Sequence, residues 1–543
     1  MHWLSTAEEL EQPDAQAMMA FLHASDALRD VYNYTGLEAN RTHARVLFER
    51  AARGGSAFGA MAMAFRFGHG IGMRESCPDS SAWYEQAAQA SVNGLCEQRR
   101  KTVEMSNAAD SDHLTLLSLV SKTGDQRMDK GMVEYLDYCA HIGDSTGKIS
   151  MGHLYHAGLH GVPCDRQAAA HWFESAAHAG DGMGHANLGM MQLRERRFRS
   201  AIRSLRRGTK QKEASAWAGL AFAHLYGAGL PQSDERAVQS MWLAARMGHL
   251  DSIYNLGVLT LKGRGVTPSV RDGFRLLSVA AEFAHPQAQL QVGHMVRLGL
   301  GVRRDCNAAQ FFLKHAAETG PLVRSLLGTA LYAHEHDRPQ RALIHYLLAA
   351  HAGSEVGQHN AAHLYAHVMP RLRPDEATVH AQRALQYFKL AVLQGNVDAQ
   401  VQLANLLVTN NKDYGMAARL YQEAGRAGST DALFHLGELY WRGQGVPHNR
   451  KTAWALWQSS NFASKHAKLK GLQAPVFGLA RFVVEYRAFL LFAGGLVAIV
   501  STGGNPVEIV RRAMGGGAAQ QQEWNPEWDA DDDDDEDLFG DEE

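Results

Sequence analysis

The sequence predicts an all-α fold, an α-solenoid of stacked helical hairpins. A helical phrase that contains a small residue and ends in a glycine loop recurs about every thirty-six residues. A second phrase, A-x-x-x-[FYW]-x-x-A-A-x-x-G, lies between the copies and supplies a second helix to each hairpin. The chain has 543 residues, of which 45% are hydrophobic and 20% charged, so it can bury a large core distributed along a superhelix.

The first helix of each hairpin is clearest in MGHLYHAG from Met151 and LGELYWRGQG from Leu436. Small residues three or four apart lie on one helical face and allow a neighbouring helix to approach closely. We therefore predict a repeat-packing role for one set of glycines: Gly152, Gly189, Gly257, Gly293 and Gly437.

The second helix is clearest in AHWFESAAHAG from Ala170 and AARLYQEAGRAG from Ala417. Its aromatic residues are expected to fill the space between hairpins. One hairpin cannot bury its apolar face alone, so neighbours must stack. The aromatic residues in question are Trp172, Trp242, Phe312 and Tyr421.

The loop within each hairpin is longer than that of a tetratricopeptide repeat. It reads GRGVTPSVRD at Gly263, GLGVRRDCN at Gly299 and GQGVPHNRK at Gly443. These glycines suit a left-handed helix end, and the Asp or Asn that follows can cap the next helix. The pattern resembles the Sel-one-like repeat (SLR), a relative of the tetratricopeptide repeat.

The order of the blocks extends the resemblance. A repeat block around Met61 is followed by a stretch without repeat register, and then by YLDYCAHIGDSTGKISMGHLYHAG from Tyr135. This order is similar to the lumenal adaptors of HRD-type ubiquitin ligases in ER-associated degradation. The resemblance implies a non-catalytic adaptor at the endoplasmic reticulum membrane, with lumenal repeats. It also implies three partners: a RING ubiquitin ligase of that membrane, misfolded glycoprotein clients and an ER lectin.

Seven segments are predicted along the chain. They are an N-terminal segment (1–30), an N-terminal SLR block (31–94), a variable linker (95–134), a middle SLR block (135–325), a C-terminal SLR block (326–475), a membrane helix (476–504) and a disordered acidic tail (505–543).

The predicted membrane helix contains an uncharged run from Ala488 to Thr502, which is shorter than the twenty or so apolar residues of an unstrained span. Snorkelling by Arg487 would lengthen it. A buried helix that caps the solenoid is the alternative. The basic residues on either side would, by the positive-inside rule alone, favour a cytosolic body, although charges in a large folded domain weigh less than those in short loops.

The N-terminus, MHWLSTAEELEQPDAQ, lacks the basic and apolar regions of a secretory signal. Two sequons are candidate N-glycosylation sites, Asn33-Tyr-Thr and Asn40-Arg-Thr, and both would fit a lumenal position. The alternative function is a cytosolic SLR scaffold for signalling or trafficking complexes, which the missing signal favours.

The five cysteines include no C-x-x-C pair. Cys77 and Cys306 occupy equivalent positions in distant repeats, so a stacked array should hold them far apart and a disulfide between them is not expected. The spacing leaves open a Cys77–Cys96 or a Cys139–Cys164 pair.

The chain carries no recognisable catalytic motif, so we predict no enzyme, no catalytic or cofactor-binding residue and no cofactor. His359, His363 and His367 share one helical face, but we assign them to packing and predict no metal site. The net charge of -3 predicts no nucleic-acid partner, and the basic stretch from Arg194 to Lys212 is assigned to the helices of one repeat.

Overall fold

The computed structural model describes residues 12–25, 27–32, 40–104, 130–158 and 162–460. These residues form α-helices joined by short turns, with no strand among them. The predicted all-α solenoid is confirmed. Its helices fall into an N-terminal block and two arrays.

Five helices are described in the N-terminal block. They are α1 (Pro13–Ala24), α2 (Ala27–Tyr32), α3 (Arg41–Arg53), α4 (Ala57–His69) and α5 (Cys77–Glu104).

Eleven helices of the middle array lie within the described residues. They are α6 (Lys130–His141), α7 (Ser145–Ala157), α8 (Arg166–His178), α9 (Gly182–Arg194), α10 (Phe198–Lys210), α11 (Ala214–Tyr226), α12 (Asp234–Arg246), α13 (Leu250–Lys262), α14 (Val270–Glu282), α15 (Pro286–Leu298) and α16 (Cys306–Glu318).

Up to residue 460, where the described part of the chain ends, the C-terminal array contains nine α-helices, with a 3-10 turn at Pro374–Glu376 and a π-helical turn at Leu407–Asn411. The helices are α17 (Pro321–Glu335), α18 (Pro339–His351), α19 (Glu355–His367), α20 (Met369–Leu372), α21 (Ala377–Leu393), α22 (Val397–Leu406), α23 (Tyr414–Arg426), α24 (Thr430–Arg442) and α25 (Arg450–Ser459).

The glycine loops end the first helix of a hairpin as the sequence predicts. Gly263 has φ of +66°, and its backbone N–H donates to the Leu259 carbonyl. Such a conformation is open to glycine at no steric cost. The next helix of the hairpin is capped by Ser269, whose side chain accepts a hydrogen bond from the Asp272 N–H. After the Gly443 loop the capping residue is Asn449, which is the residue type that the pattern predicts.

Within each array, a helix packs mainly on the helices before and after it in the chain. The join between α16 and α17 is the exception, because these two consecutive helices barely touch. Helix α5 of the N-terminal block lies against α16 instead. The N-terminal block and the C-terminal array then share one hydrophobic core, to which Leu313 of α16 also belongs.

The predicted segment boundaries remain predictions. Helix α5 continues to Glu104, beyond the expected start of the linker at residue 95, and α6 begins at Lys130. Among the described residues no helix has both the length and the apolar character needed to cross a bilayer. The predicted membrane helix, the acidic tail and Asn33 lie outside the described residues.

Candidate interaction scaffold

The repeat glycines lie where the two helices of a hairpin meet. A Cβ added to Gly152 would lie 2.5 Å from the Phe173 ring, and one added to Gly293 would lie 2.6 Å from Cγ of Leu313. These distances are far below ordinary van der Waals contact, so only glycine fits without movement of the facing side chain. The same close approach occurs between Gly189 and Leu205, Gly257 and Leu277, and Gly437 and Trp457.

The residue that faces the glycine was only partly predictable. Tyr421 is buried as expected, but Trp242 is 36% exposed and does not fill the space between hairpins. Trp172 and Phe312 are only partly buried, whereas the residue after each of them, Phe173 or Leu313, packs on the glycine. The expectation for Trp242 was therefore wrong. The repeat phrase locates the second helix correctly, but its aromatic position does not fix the inward residue, which follows the aromatic in α8 and α16 and precedes it, as Met241, in α12.

The expected separation of Cys77 and Cys306 is also wrong, because the two cysteines form a disulfide with Cα atoms 6.1 Å apart. Each is the first residue of its helix, α5 or α16. The hydroxyl of Ser91 on α5 donates to the Ala317 carbonyl near the other end of α16, so the helices run side by side in the same direction. Equivalent positions in distant repeats therefore become neighbours.

The pairing also excludes a Cys77–Cys96 disulfide in this structure. Cys139 and Cys164 are thiols, so the second pairing that the spacing left open is not formed either.

An ion pair extends the same contact. The carboxylate of Glu85 on α5 lies 2.5 Å from the Arg297 guanidinium and also contacts the His294 ring, both on α15. Both carboxylate oxygens are therefore engaged, one by each partner. Since Glu85 is largely buried, this pair is less screened by solvent than a surface salt bridge.

A polar cluster joins α4 of the N-terminal block to the C-terminal array. The Arg66 guanidinium lies 3.4 Å from Nδ1 of His351 and 4.2 Å from the centre of the Phe48 ring. Nε2 of His351 lies 3.2 Å from the Tyr387 hydroxyl. Burial, together with the adjacent Arg66 charge, lowers the pKa of His351 to about 3. The imidazole is therefore neutral at pH 7, so its Nδ1 can accept from Arg66.

A buried carboxylate forms the second polar link. Asp30 of α2 is fully buried and accepts a hydrogen bond of 2.9 Å from the Tyr365 hydroxyl on α19. The Arg383 guanidinium on α21 lies 3.5 Å from the same carboxylate oxygen. Burial raises the pKa of Asp30 and of the Tyr365 hydroxyl. A buried charge of this kind is tolerated only when it is paired and hydrogen-bonded, so the partners specify how the block docks.

The three histidines on α19 run from the packed interior to the surface, since His359 is buried, His363 is partly buried and His367 is exposed. The His359 ring is buried and packs edge-on against Phe388, at 5.7 Å between ring centres. The His363 and His367 rings lie 4.7 Å apart. Burial lowers the pKa of His363 to about 3. Across the described part of the chain, no group of three or more His, Cys, Asp or Glu side chains is arranged to hold a metal ion.

Two surface features of the middle array differ from ordinary solvated helix faces. Helix α6, where the array begins, exposes a row of large apolar side chains, and α10 exposes a row of cations. The apolar row comprises Met132, Tyr135 and Tyr138 on α6, together with Ile142, the residue that follows the helix. The cationic row comprises Arg199, Arg203, Arg206, Arg207 and Lys210.

One sequon is described. Asn40 is exposed and caps α3, with its Oδ1 accepting a hydrogen bond of 2.9 Å from the His43 N–H. The side-chain nitrogen, which a glycan would occupy, is not the atom used by the cap. Thr42, the third residue of the sequon, is also exposed. The site is thus sterically accessible, and its glycosylation remains a prediction.

This arrangement of glycine-packed hairpins, left-handed loop glycines and capped second helices defines a class of α-solenoid scaffold. The chain belongs to the Sel1 repeat family. The family model matches residues 13–56, 57–92, 148–181, 214–249, 250–282, 286–321, 326–354, 381–396, 398–429 and 430–460.

The chain is similar to two components of ubiquitin ligases. The chain is 25% identical over 476 residues to the ERAD-associated E3 ubiquitin-protein ligase component HRD3B of Arabidopsis thaliana, a match that covers 84% of this chain and 68% of the relative. It is 36% identical over 107 residues to the component HRD3 of Candida glabrata, covering 19% of this chain and 13% of the relative.

Among solved structures, the chain is similar to c5321, a protective antigen of uropathogenic Escherichia coli that displays an SLR fold. The match has 19% identity and a TM-score of 0.29, and it covers 77% of this chain and 79% of the other.

Proposed function

We propose that this chain is a non-catalytic adaptor of a ubiquitin ligase in ER-associated degradation. The observation that carries the proposal is the similarity to HRD3B, because it extends over 84% of the chain rather than over a few repeats. A match of that extent includes sequence from the N-terminal block and from both arrays. The Sel1 repeats are consistent with such a role, since a stacked solenoid offers long surfaces to several proteins at once.

In this role the chain recruits misfolded glycoprotein clients, together with an ER lectin, and stabilises the RING ligase of the ER membrane. The N-terminal block meets both arrays at one junction, formed by α5 on α16 and by the core that the block shares with the C-terminal array. This junction suits the task because it joins three sets of repeats through contacts such as Asp30 with Tyr365 and Glu85 with Arg297. Partners bound to different arrays would then be held at fixed positions relative to one another. The exposed apolar row on α6 and the cationic row on α10 are surfaces of contrasting chemistry for such partners.

The proposed topology places the repeats in the ER lumen, a membrane helix at 476–504 and the acidic tail at 505–543 in the cytosol. Asn40 provides a reporter for this topology because it is exposed in the N-terminal block. The experiment is protease protection on microsomes that carry the native-length protein with a tag after Glu543. We expect protected repeats, a cleaved tail and a mobility shift on endoglycosidase treatment.

Two variants separate glycosylation from folding at Asn40. Thr42→Ala removes the sequon but keeps the Asn40 cap, whereas Asn40→Gln removes both. Equal loss of the shift in both variants, with unchanged protease protection, assigns the glycan to Asn40. Digestion of the repeats without detergent would contradict the lumenal topology and favour a cytosolic scaffold.

The adaptor role itself is tested by depletion. We expect the RING ligase to co-purify with the tagged chain in mild detergent. Loss of the chain should shorten the half-life of the ligase and slow the turnover of a misfolded glycoprotein. Normal turnover of both after depletion, with no ligase in the purified material, would show that the proposed function is wrong.

A further inference from the structure

The disulfide lies at the surface end of the contact between the N-terminal block and the middle array. Cys77 and Cys306 are each partly exposed, and the side chain of Asn307 lies 3.6 Å from the Cys77 sulfur. The two cysteines are 229 residues apart in sequence. Their meeting therefore requires the far end of the middle array to return to α5.

The two cysteines are also set apart from the other thiols that the structure describes. Cys139 on α6 and Cys164 before α8 remain thiols, and neither lies at a contact between blocks. Cys77 and Cys306 begin two helices that run in parallel over their length, as the bond from Ser91 to the Ala317 carbonyl shows. The parallel packing of α5 and α16 thus places their first residues, the two cysteines, side by side.

We infer that Cys77 and Cys306 form an oxidative latch, which locks the N-terminal block onto the middle array after the repeats have entered an oxidising compartment. Disulfides persist in the ER lumen and are rare in the cytosol. The inference rests on the proposed function in one respect, since that function supplies the lumenal location. It adds a modification site and a covalent step that fixes the assembly of the blocks.

The oxidant is the disulfide of a dithiol oxidoreductase. The thiolate of one cysteine attacks a sulfur of that disulfide to form a mixed disulfide, and the oxidoreductase's other sulfur leaves as a thiolate. The second cysteine then attacks the mixed disulfide, forming the Cys77–Cys306 bond and releasing the other oxidoreductase thiolate. The two substrate thiols lose two protons and two electrons, and the oxidoreductase gains both as a dithiol. Partial exposure of the pair leaves the sulfur atoms open to such exchange.

The latch is distinct from the non-covalent contacts of the junction. Glu85 with Arg297, and Asp30 with Tyr365, join the blocks by contacts that involve neither cysteine. The disulfide alone resists a denaturant. An experiment that cuts the chain between α5 and α6 and then denatures it therefore reports on the disulfide.

The test uses the full chain with a specific protease site inserted within residues 105–129, expressed in cells with its native targeting and quenched with acid and an alkylating reagent. After cleavage, we expect one band of full mass on a non-reducing denaturing gel and two fragments after reduction. Peptide mapping should show Cys77 linked to Cys306, and Cys139 and Cys164 alkylated. The variant Cys77→Ser/Cys306→Ser should give two fragments without reductant, whereas the matched control Cys139→Ser/Cys164→Ser should behave as the wild type.

The outcomes separate the latch from the proposed function. Two fragments without reductant, with Cys77 and Cys306 alkylated in protein whose repeats are protease-protected, would overturn the latch and leave the adaptor proposal intact. A Cys77–Cys306 linkage in protein that fails to co-purify a ligase would support the latch and count against the adaptor. A linkage to Cys139 or Cys164 instead would also overturn the latch.

Discussion

A single methyl group placed on Gly293 tests how tightly the hairpins are packed. In the variant Gly293→Ala, the new Cβ would lie 2.6 Å from Cγ and 2.7 Å from Cδ2 of Leu313. Normal contact between carbon atoms is about 3.5–4.0 Å, so Leu313 must move by roughly 1 Å. Leu313 is fully buried, and overpacking of this kind typically costs about 1–3 kcal/mol.

The helix itself gains from the same substitution, because alanine is favoured over glycine in a helix interior by about 1 kcal/mol. The net effect expected for Gly293→Ala is therefore a loss of about 0–2 kcal/mol. The chain offers a matched control at Gly328, which lies seven residues after the first residue of α17, just as Gly293 does in α15. A Cβ on Gly328 would meet no heavy atom within 4 Å. Gly328→Ala should therefore stabilise its helix by the propensity gain of about 1 kcal/mol.

The assay is native-state hydrogen exchange, read by mass spectrometry on peptides from α15–α16 and from α17–α18. Local opening is reported directly, so an array that does not unfold in one step can still be compared. A difference of about 2 kcal/mol between the two variants corresponds to roughly thirtyfold in exchange rate. If Gly293→Ala slowed exchange as much as Gly328→Ala does, the helices of this hairpin would not be packed closely enough for Leu313 to exclude a methyl group.

Three further predictions concern the junction. Cys77→Ser/Cys306→Ser should lower the free energy of unfolding, because the lost cross-link spans 229 residues. The chain-entropy model puts the largest loss at about 5 kcal/mol. Denaturant unfolding checks this prediction, and the variant should unfold at the same denaturant concentration as reduced wild type. Acid should destabilise the protein, because the pKa of His351 is about 3 in the folded state and near the ordinary 6.5 in the unfolded state. The stability that the neutral His351 ring contributes is therefore fully present above pH 6.5 and is lost as the pH falls toward 3. His351→Gln should therefore lose less stability between pH 7 and pH 5 than wild type, and an unchanged pH slope would contradict this. Tyr365→Phe leaves the buried Asp30 carboxylate without its hydroxyl donor and should cost about 1–3 kcal/mol, seen as faster exchange in α1–α3, whereas the control Tyr138→Phe at an exposed ring should change nothing.

The repeat register and the loop chemistry were readable in the sequence because both depend on local contacts. A glycine that ends a helix, such as Gly263, and a glycine that admits a close neighbour, such as Gly152, recur at fixed spacing. Hairpin geometry is set by residues within one repeat. The all-α solenoid could therefore be predicted without knowing how distant repeats contact one another.

The inward face of the second helix was harder to place. Trp242 and Phe173 show that the bulkiest residue of the phrase need not be the one that packs inward. A rotation of about 100° per residue separates the two faces, so an error of one position moves a side chain from the core toward solvent. Only the packed helices decide which residue meets the glycine.

What the sequence by itself determined was each hairpin and its stacking on the next one. Only the tertiary structure decided that α16 and α17 part, that α5 lies on α16, and that Cys77 meets Cys306. The physical reason is that a repeat pattern records contacts between chain neighbours, whereas the docking of a distant block depends on surfaces whose residues, such as Asp30 and Tyr365, follow no period.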